Sequence, residues 1–255
     1  MQRCVYIIGG TTEANRAADR LGAEGCRVVV SVATEMGARL SRAASTEAGP
    51  KDAAAIAAAV NAAGADAILD CSHPYAVHAT CESKQAAAFA KIPYLRYTRA
   101  PDAAPGMESG ALRTDRFSSW EAAAACLRKS GGPALLTIGS RNLPLFVETG
   151  VDITARVLPE PETLAACAAA GVGPESIIAA HPPFSVDFNR ACLRRARARV
   201  MVTKDSGAAG GLPEKLEAAA AEGVRVLMII RPPEPEEAVY DLDEVVGRLW
   251  EVTAS

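Results

Sequence analysis

The chain is poor in aromatic residues. Only 5% of its 255 residues are Phe, Trp or Tyr, which argues against the stacked aromatic platforms that hold single-stranded nucleic acid. A cysteine framework is also missing. The seven cysteines (Cys4, Cys26, Cys71, Cys81, Cys126, Cys167 and Cys192) are scattered, odd in number and without a C-x-x-C pair. A disulfide scaffold or a zinc site is thereby set aside in favour of reduced, buried thiols acting as small hydrophobes. Charge of one sign is not in excess either, the net charge being -3. Such a chain is a poor general binder of nucleic acid, and any anionic ligand must be met by a local cluster of cations. The first apolar run, Cys4-Val5-Tyr6-Ile7-Ile8, is too short for a secretory segment and ends at Gly9-Gly10, and no apolar stretch approaches the length of a bilayer span. The expectation is a cytoplasmic protein without membrane contact.

With 49% hydrophobic and 22% charged residues, the chain has what a globular core requires, in one large domain or two of about 130 residues each. Short β-like runs alternate with Ala-rich helical stretches. Strands are expected at Cys4 to Ile8, Arg27 to Val32, Ala67 to Leu69 and Ile92 to Tyr97. Helices are expected from Thr11 or Thr12 to about Ala23, from Asp52 to Ala63 and from about Tyr75 to Ala90, the last favoured by Pro74, with a Ser72 cap and a packed His73 as the plain reading of the loop before it. Ala100 to Gly110 reads as a loop. After a helix around Trp120 to Lys129, Ser130-Gly131-Gly132-Pro133 breaks the chain and a second series opens. Its strands lie near Ala134 to Ile138, Thr154 to Leu158, Ser176 to Ala179, Arg199 to Val202 and Val224 to Ile230. A helix follows Gly139-Ser140-Arg141, and others cover Pro161 to Ala170, Val186 to Arg195, Pro213 to Glu222 and Leu242 to Val252. Strands that are continuously apolar and each followed by a helix indicate parallel sheets covered on both faces. The expected architecture is α/β with two Rossmann-like lobes, residues 1–130 and 131–255, and an active site in the cleft between them, at the carboxyl ends of the strands.

Four loops at strand ends carry polar residues that a core would not use. Gly9-Gly10-Thr11-Thr12-Glu13 can bring backbone and a helix N-terminus close to a phosphate, although it is not G-x-G-x-x-G. It reads equally as a tight turn with a Thr cap and Glu13 in the favourable first turn. The second strand ends in Ser31-Val32-Ala33-Thr34, without the acidic residue that holds an NAD ribose. Arg39 and Arg42 follow, which leans toward NADPH. The second loop is Cys71-Ser72-His73-Pro74-Tyr75. The third, Gly139-Ser140-Arg141-Asn142, offers an Arg fork for a carboxylate or phosphate. The fourth, Thr203-Lys204-Asp205-Ser206-Gly207 with Gly210 and Gly211, precedes the helix that holds Lys215. His181-Pro182-Pro183-Phe184-Ser185 is a further candidate, with a rigid packed turn as its plain reading. The Arg194 to Arg199 run reads as a solvated helix end.

The ordered set of these motifs resembles the precorrin-6A reductases of cobalamin biosynthesis, including the cobalt-precorrin-6A reductases of the anaerobic route. The resemblance extends along nearly the whole chain. It rests on Ile7-Ile8-Gly9-Gly10-Thr11-Thr12-Glu13, Asp70-Cys71-Ser72-His73-Pro74-Tyr75-Ala76 and Leu136-Thr137-Ile138-Gly139-Ser140-Arg141-Asn142-Leu143. It continues through Pro183-Phe184-Ser185, Val202-Thr203-Lys204-Asp205-Ser206-Gly207, Lys215-Leu216-Glu217-Ala218-Ala219 and Arg231-Pro232. Cys71-Ser72 stands where the family usually has Ala-Thr. His181-Pro182 stands where Arg-Gly is common, which leaves any role for His181 open. The resemblance implies a two-lobe Rossmann-like enzyme that reduces one double bond of a tetrapyrrole, precorrin-6A or its cobalt complex. It uses NADPH, or NADH, adding a hydride at C19 and a proton at C18 to give the 6B form. Transient contact with neighbouring pathway enzymes goes with such a role.

The substrate is a polycarboxylate, so cations and backbone donors at strand ends suit it. Ser72, His73, Pro74, Tyr75, Gly139, Arg141 and Arg231 are the candidates for substrate binding, with Arg96 and Arg99 as helpers. Gly9, Gly10, Thr11, Thr12, Glu13 and Arg39 are candidates for the cofactor, as are Ser206, Gly207, Gly210 and Gly211, the last four as a backbone nest. Which loop takes which ligand stays open. The cofactor carries the hydride, and the protein aligns the reactants and supplies a proton. Lys204, or a water it orders, is expected to deliver that proton, with Asp205 holding the Lys. No metal site is expected. A non-catalytic NADPH-binding sensor is the alternative. An S-adenosylmethionine-dependent methyltransferase would need an acidic end to the second strand, which Ser31 to Thr34 lacks.

Overall fold

The computed structural model describes residues 2–49, 51–100 and 112–253. The chain forms two compact units, one made of Met1–Ala100 with Pro232–Ser255 and the other of Pro101–Arg231.

The first unit runs β1 (Cys4–Ile8), α1 (Thr12–Ala23), β2 (Arg27–Val32), α2 (Glu35–Leu40), β3 (Ser45–Ala48), α3 (Ala53–Ala63), β4 (Ala67–Asp70), α4 (Val77–Ala90) and β5 (Tyr94–Arg96). All five strands are parallel, in the order β3-β2-β1-β4-β5. Every β1 residue is buried, and its side chains alternate between two cores. Val5 and Ile7 join Leu21, Val30 and Leu69 on one face. Cys4, Tyr6 and Ile8 join Ile56, Val60 and Ile68 on the other. A strand that must be apolar on both sides cannot alternate with polar residues, hence the continuous run in the sequence.

The second unit runs β6 (Thr114–Phe117), α5 (Trp120–Ser130), β7 (Ala134–Leu136), α6 (Leu143–Val147), β8 (Ile153–Val157), α7 (Pro161–Ala169), β9 (Ile177–Ala179), α8 (Val186–Arg195), β10 (Val200–Lys204), α9 (Leu212–Ala221) and β11 (Arg225–Ile229). Its six parallel strands are ordered β6-β11-β10-β7-β8-β9. The chain then returns to the first unit, where α10 (Leu242–Val252) packs Val245, Val246 and Leu249 into the core that holds α1. Two parallel sheets flanked by helices, each Rossmann-like, are thus what the alternation of strands and helices required.

The division differs from the expected 1–130 and 131–255. Residues 112–130 belong to the second unit because β6 pairs with β11, Asp115 opposite Leu227. The C-terminal residues belong to the first because α10 covers its sheet. Three elements were not expected. The α2 helix is too short to show a period, and β3 and β6 are edge strands whose polar sequences, Ser-Thr-Glu-Ala and Thr-Asp-Arg-Phe, carry no apolar run. The helix expected from Tyr75 begins at Val77, with Ala76 before it and no side-chain cap. Pro74 lies in the turn closed by Ala76 N donating to His73 O at 2.7 Å. The expected strand Ile92 to Tyr97 is shortened to Tyr94–Arg96, Tyr97 forming an isolated bridge to Val239. Apart from Ala100, the loop expected to Gly110 lies outside the described residues. All seven thiols are free. Cys4, Cys26, Cys71, Cys167 and Cys192 are buried, whereas Cys81 is exposed and Cys126 intermediate. Among the described residues no helix is long and apolar enough to cross a membrane, and no His, Cys, Asp and Glu cluster could hold a metal ion.

Candidate active site

In each sheet the strand order reverses beside the first strand of its series: between β1 and β4, and between β7 and β10. The loops leaving the carboxyl ends at such a point diverge and leave a crevice. Most of the residues singled out from the sequence fall on these loops, some in each unit.

In the first unit, Thr11 caps α1. Its Oγ1 accepts from Ala14 N at 3.1 Å and donates to Cys71 O at 2.7 Å, tying the β1 loop to the β4 loop. Gly9 has φ +128°, and a Cβ there would stand 2.7 Å from the Cys71 carbonyl oxygen. The close approach of the two loops therefore requires glycine. The first backbone bond of α1 runs from Asn15 N to Thr11 O, so the amides of Thr12 and Glu13 lead the helix toward the loop, with the positive end of its dipole. Arg39 lies exposed in the last turn of α2, and Arg42 is engaged with Asp19 at 3.3 Å.

The β4 loop is held from beneath. Ser72 is buried and does not cap α4. Its amide donates to Asp70 Oδ1 at 2.8 Å, and its hydroxyl lies 3.2 Å from Thr80 Oγ1. His73 Nδ1 accepts from Tyr75 N at 3.3 Å, and the two rings lie 5.7 Å apart, centroid to centroid. Arg96, expected to help bind substrate, is instead locked inside the unit between Asp70 and Glu234.

In the second unit the carboxyl ends of β7, β8, β9 and β10 surround a cavity of about 540 Å³. Its floor carries two cations that the fold keeps from water. Arg156 is the last residue but one of β8, with 6% of its surface exposed. Its Nη1 donates to Asn189 Oδ1 at 2.7 Å, and its guanidinium carbon lies 4.3 Å from the centre of the Phe184 ring. Lys215, 7% exposed, stands in the first turns of α9 and donates to Gly210 O at 3.0 Å and Ser206 Oγ at 3.4 Å. Among the described residues neither cation has a carboxylate within ion-pair distance. Burial, then the Arg156 and Lys204 charges, brings the Lys215 ammonium down to about 8. Burial also lowers the Arg156 guanidinium, and burial followed by the Arg141 cation lowers Lys204 at the end of β10. The Glu214 Oε2 atom, also on the cavity wall, is buried with no hydrogen-bond partner. A charged side chain is costly to bury without its counter-charge. Arg156 and Lys215, buried together on one wall with the Glu214 carboxylate acting on Lys215, therefore suit an anionic ligand.

The loop from Asp205 to Gly211, expected as a backbone nest, turns on its glycines. Gly207 and Gly211 have φ +66° and +68°, and a Cβ on Gly210 would meet the Ser206 side chain at 2.3 Å. The amides of Gly210 and Gly211 are spent within the loop, on Gly207 O and Ala208 O. Ala208, Gly210 and Gly211 of the loop line the cavity beside Lys215 of α9. Ser206 is buried, with its hydroxyl on Gly210 O at 3.0 Å. Arg231 holds the loop's other end, its Nε donating to Asp205 O at 3.1 Å. Gly139, with φ +80°, and Arg141 lie exposed after β7. Arg156, Glu214 and Phe184 were not among the residues singled out for binding. The signal for Arg156 is a cation inside an otherwise apolar strand, Ile-Thr-Ala-Arg-Val.

A model of the family described as "Precorrin-6x reductase CbiJ/CobK" matches residues 4–249. The chain belongs to this family. It is 34% identical to the cobalt-precorrin-6A reductase of Priestia megaterium, over 98% of this chain and all of that one. It is 32% identical to the precorrin-6A reductase of Rhodococcus erythropolis, over 96% of this chain and 95% of that one. Among solved structures it is similar to "CobK precorrin-6A reductase", with a TM-score of 0.77 and 26% identity, covering all of this chain and 99% of that one. As a CbiJ/CobK-family member the chain is a reductase with the family's fold from end to end, and the cations of the second unit lie within the matched span.

Proposed function

We propose that the chain reduces precorrin-6A or its cobalt complex to the 6B form, in cobalamin biosynthesis, with NADPH or NADH as the reductant. Family membership supports the reaction class. The observation that carries the substrate reading is the pair Arg156 and Lys215, both buried and lining one cavity, with no carboxylate within ion-pair distance of either among the described residues. A ring edged with carboxylates supplies the missing counter-charges, and each Arg fork can take a carboxylate through two parallel bonds. The cavity is too small for a whole tetrapyrrole and suits one or two of its acidic arms.

The first unit fits a dinucleotide. The turn after β1 is kept free of side chains by Gly9, the leading amides of α1 suit a phosphate, Glu13 can accept from a ribose hydroxyl, and Arg39 supplies a cation for a 2′-phosphate. When bound, the nicotinamide supplies the hydride, delivered to C19. The chain's own part is to bind and orient the macrocycle and to place a proton at C18. Lys204, or a water it orders, delivers that proton, with Asp205 holding the ammonium; its lowered proton affinity makes it a better acid than an exposed lysine. His73, Pro74 and Tyr75, at the carboxyl end of β4, face substrate in this reading, and Arg231 and Gly139 shape the second unit's loops. The protein works in the cytoplasm, and the first substrate to try is the cobalt complex.

The test is isotopic. With a nicotinamide deuterated at C4 in ordinary water, and then with ordinary nicotinamide in heavy water, the label is expected at C19 and C18 respectively. A product that carries both labels elsewhere, or Lys204→Ala turning over normally at saturating substrate, overturns the assignment.

A further inference from the structure

The first unit contains a buried ion network that the reaction as described does not use. Arg96, 1% exposed, directs its guanidinium to two carboxylates. Nε and Nη2 donate to Glu234 Oε2 and Oε1 at 3.0 and 3.2 Å, and Nη1 lies 3.1 Å from Asp70 Oδ1. Glu234 also accepts from the Thr98 hydroxyl at 3.3 Å, and Asp70 from the Tyr94 hydroxyl at 2.9 Å. One cation between two carboxylates deep in a protein is a poor means of stabilisation, because desolvation offsets most of the attraction. What such a network supplies is geometry.

That geometry converges on one segment. Arg96 Nη1 donates to Ser72 O at 2.9 Å and to Ser72 Oγ at 3.1 Å, while Asp70 takes the Ser72 amide. Every polar group of Ser72 is therefore held by the network. The preceding residue, Cys71, has its carbonyl gripped by the Thr11 hydroxyl. The chain leaves this clamp directly into His73-Pro74-Tyr75. Glu234 belongs to the stretch that re-enters the first unit after the second has been completed, so the clamp closes only when the chain has returned.

We propose that Arg96 and Glu234 are positioning residues, which set the Ser72–His73 segment in the geometry that receives the substrate and make that geometry depend on the returning chain. The functional half of this inference rests on the reading that His73 and its neighbours meet substrate. The positioning half does not.

Glu234→Gln is the informative variant, because it keeps the shape and removes the charge that faces Arg96; Glu234→Asp is the second should that variant fold poorly. Two readouts are needed. Amide exchange at Ser72, Tyr75 and Ala76 is expected to quicken by about tenfold or more, while the amides of β1 and β2 keep their protection. Unchanged exchange at these three amides overturns the positioning claim. In turnover, Glu234→Gln is expected to lower kcat/KM for the macrocycle between about ten- and a hundredfold, with KM for the nicotinamide unchanged. If Glu234 acts through this segment, His73→Ala with Glu234→Gln loses little more than His73→Ala alone; additive losses overturn the claim. If exchange quickens but His73→Ala turns over normally, the substrate reading of the segment fails and the positioning claim stands.

Discussion

Replacing Lys215 by methionine keeps most of the side chain's bulk and removes a charge that the fold withdraws from water. The ammonium falls from its ordinary 10.5 to about 8, through burial first and then the Arg156 and Lys204 cations. That gap, at about 1.4 kcal/mol for each pH unit, means that the protonated lysine destabilises the ligand-free fold by roughly 3 kcal/mol. Methionine gives up the hydrogen bonds to Gly210 O and Ser206 Oγ. Ser206 Oγ still donates to Gly210 O, so no acceptor is orphaned, and the loss is about 1 kcal/mol. Lys215→Met is therefore expected to stabilise the ligand-free protein at pH 7 by about 2 kcal/mol, raising Tm by about 4–8 °C. The sign with pH follows from the lysine's folded value lying below its unfolded one. The unfolded chain holds the extra proton between pH 8 and 10.5, so wild-type stability rises through that window. The advantage of the variant is full below pH 8 and fades toward pH 10.5. Urea unfolding at a series of pH values reads this directly. A destabilised variant at pH 7, or a difference that does not change with pH, refutes the reasoning. The same variant should bind the macrocycle less tightly, the pattern expected where a site holds charge at the expense of stability.

Arg156→Met is expected to raise the macrocycle's KM by about 10–100-fold, the loss of one charged fork, with little effect on Tm; an unchanged KM in steady-state kinetics removes Arg156 from the site. Gly9→Ala should cost about 3 kcal/mol or more, because the new Cβ would meet the Cys71 carbonyl at 2.7 Å at a φ of +128°; a shift below about 1 kcal/mol in urea unfolding would show that the two loops can part. Leu249→Ala, in the core shared by α1 and α10, should cost about 2–5 kcal/mol, read as a lowered urea midpoint.

Much of this architecture was legible in the residues because local and global signals agree. Val5 to Ile8 must satisfy two cores at once, so the run is apolar throughout, and Thr11, Asp52, Ser185 and Asp241 announce helices that their side chains then cap. The edge strands β3 and β6 were hidden because an edge is half solvent, and its composition resembles a loop. The unit boundary was hidden for a different reason. Nothing local in Thr114–Phe117 or in α10 states which sheet each joins; that follows from long-range packing. The strand-end glycines stood out, and the structure adds a packing reason for two of them: Gly9 makes room for Cys71 O, and Gly210 for Ser206. Arg96 was expected to help bind substrate and is instead the largest fully buried side chain of its unit. Arg156 and Glu214 carry no motif of their own. Only the cavity, with its unmatched charges, makes them conspicuous.

The central claim is tested most directly by mixing the purified chain, without oxygen, with NADPH or NADH and with precorrin-6A or its cobalt complex, and following the nicotinamide absorbance. Oxidation of the nucleotide that requires one of the macrocycles, and yields one reduced macrocycle for each nucleotide consumed, is the predicted result. Nucleotide binding without oxidation in any of the four pairings would contradict the account, and would turn the cations of the second unit toward a ligand that is held rather than reduced.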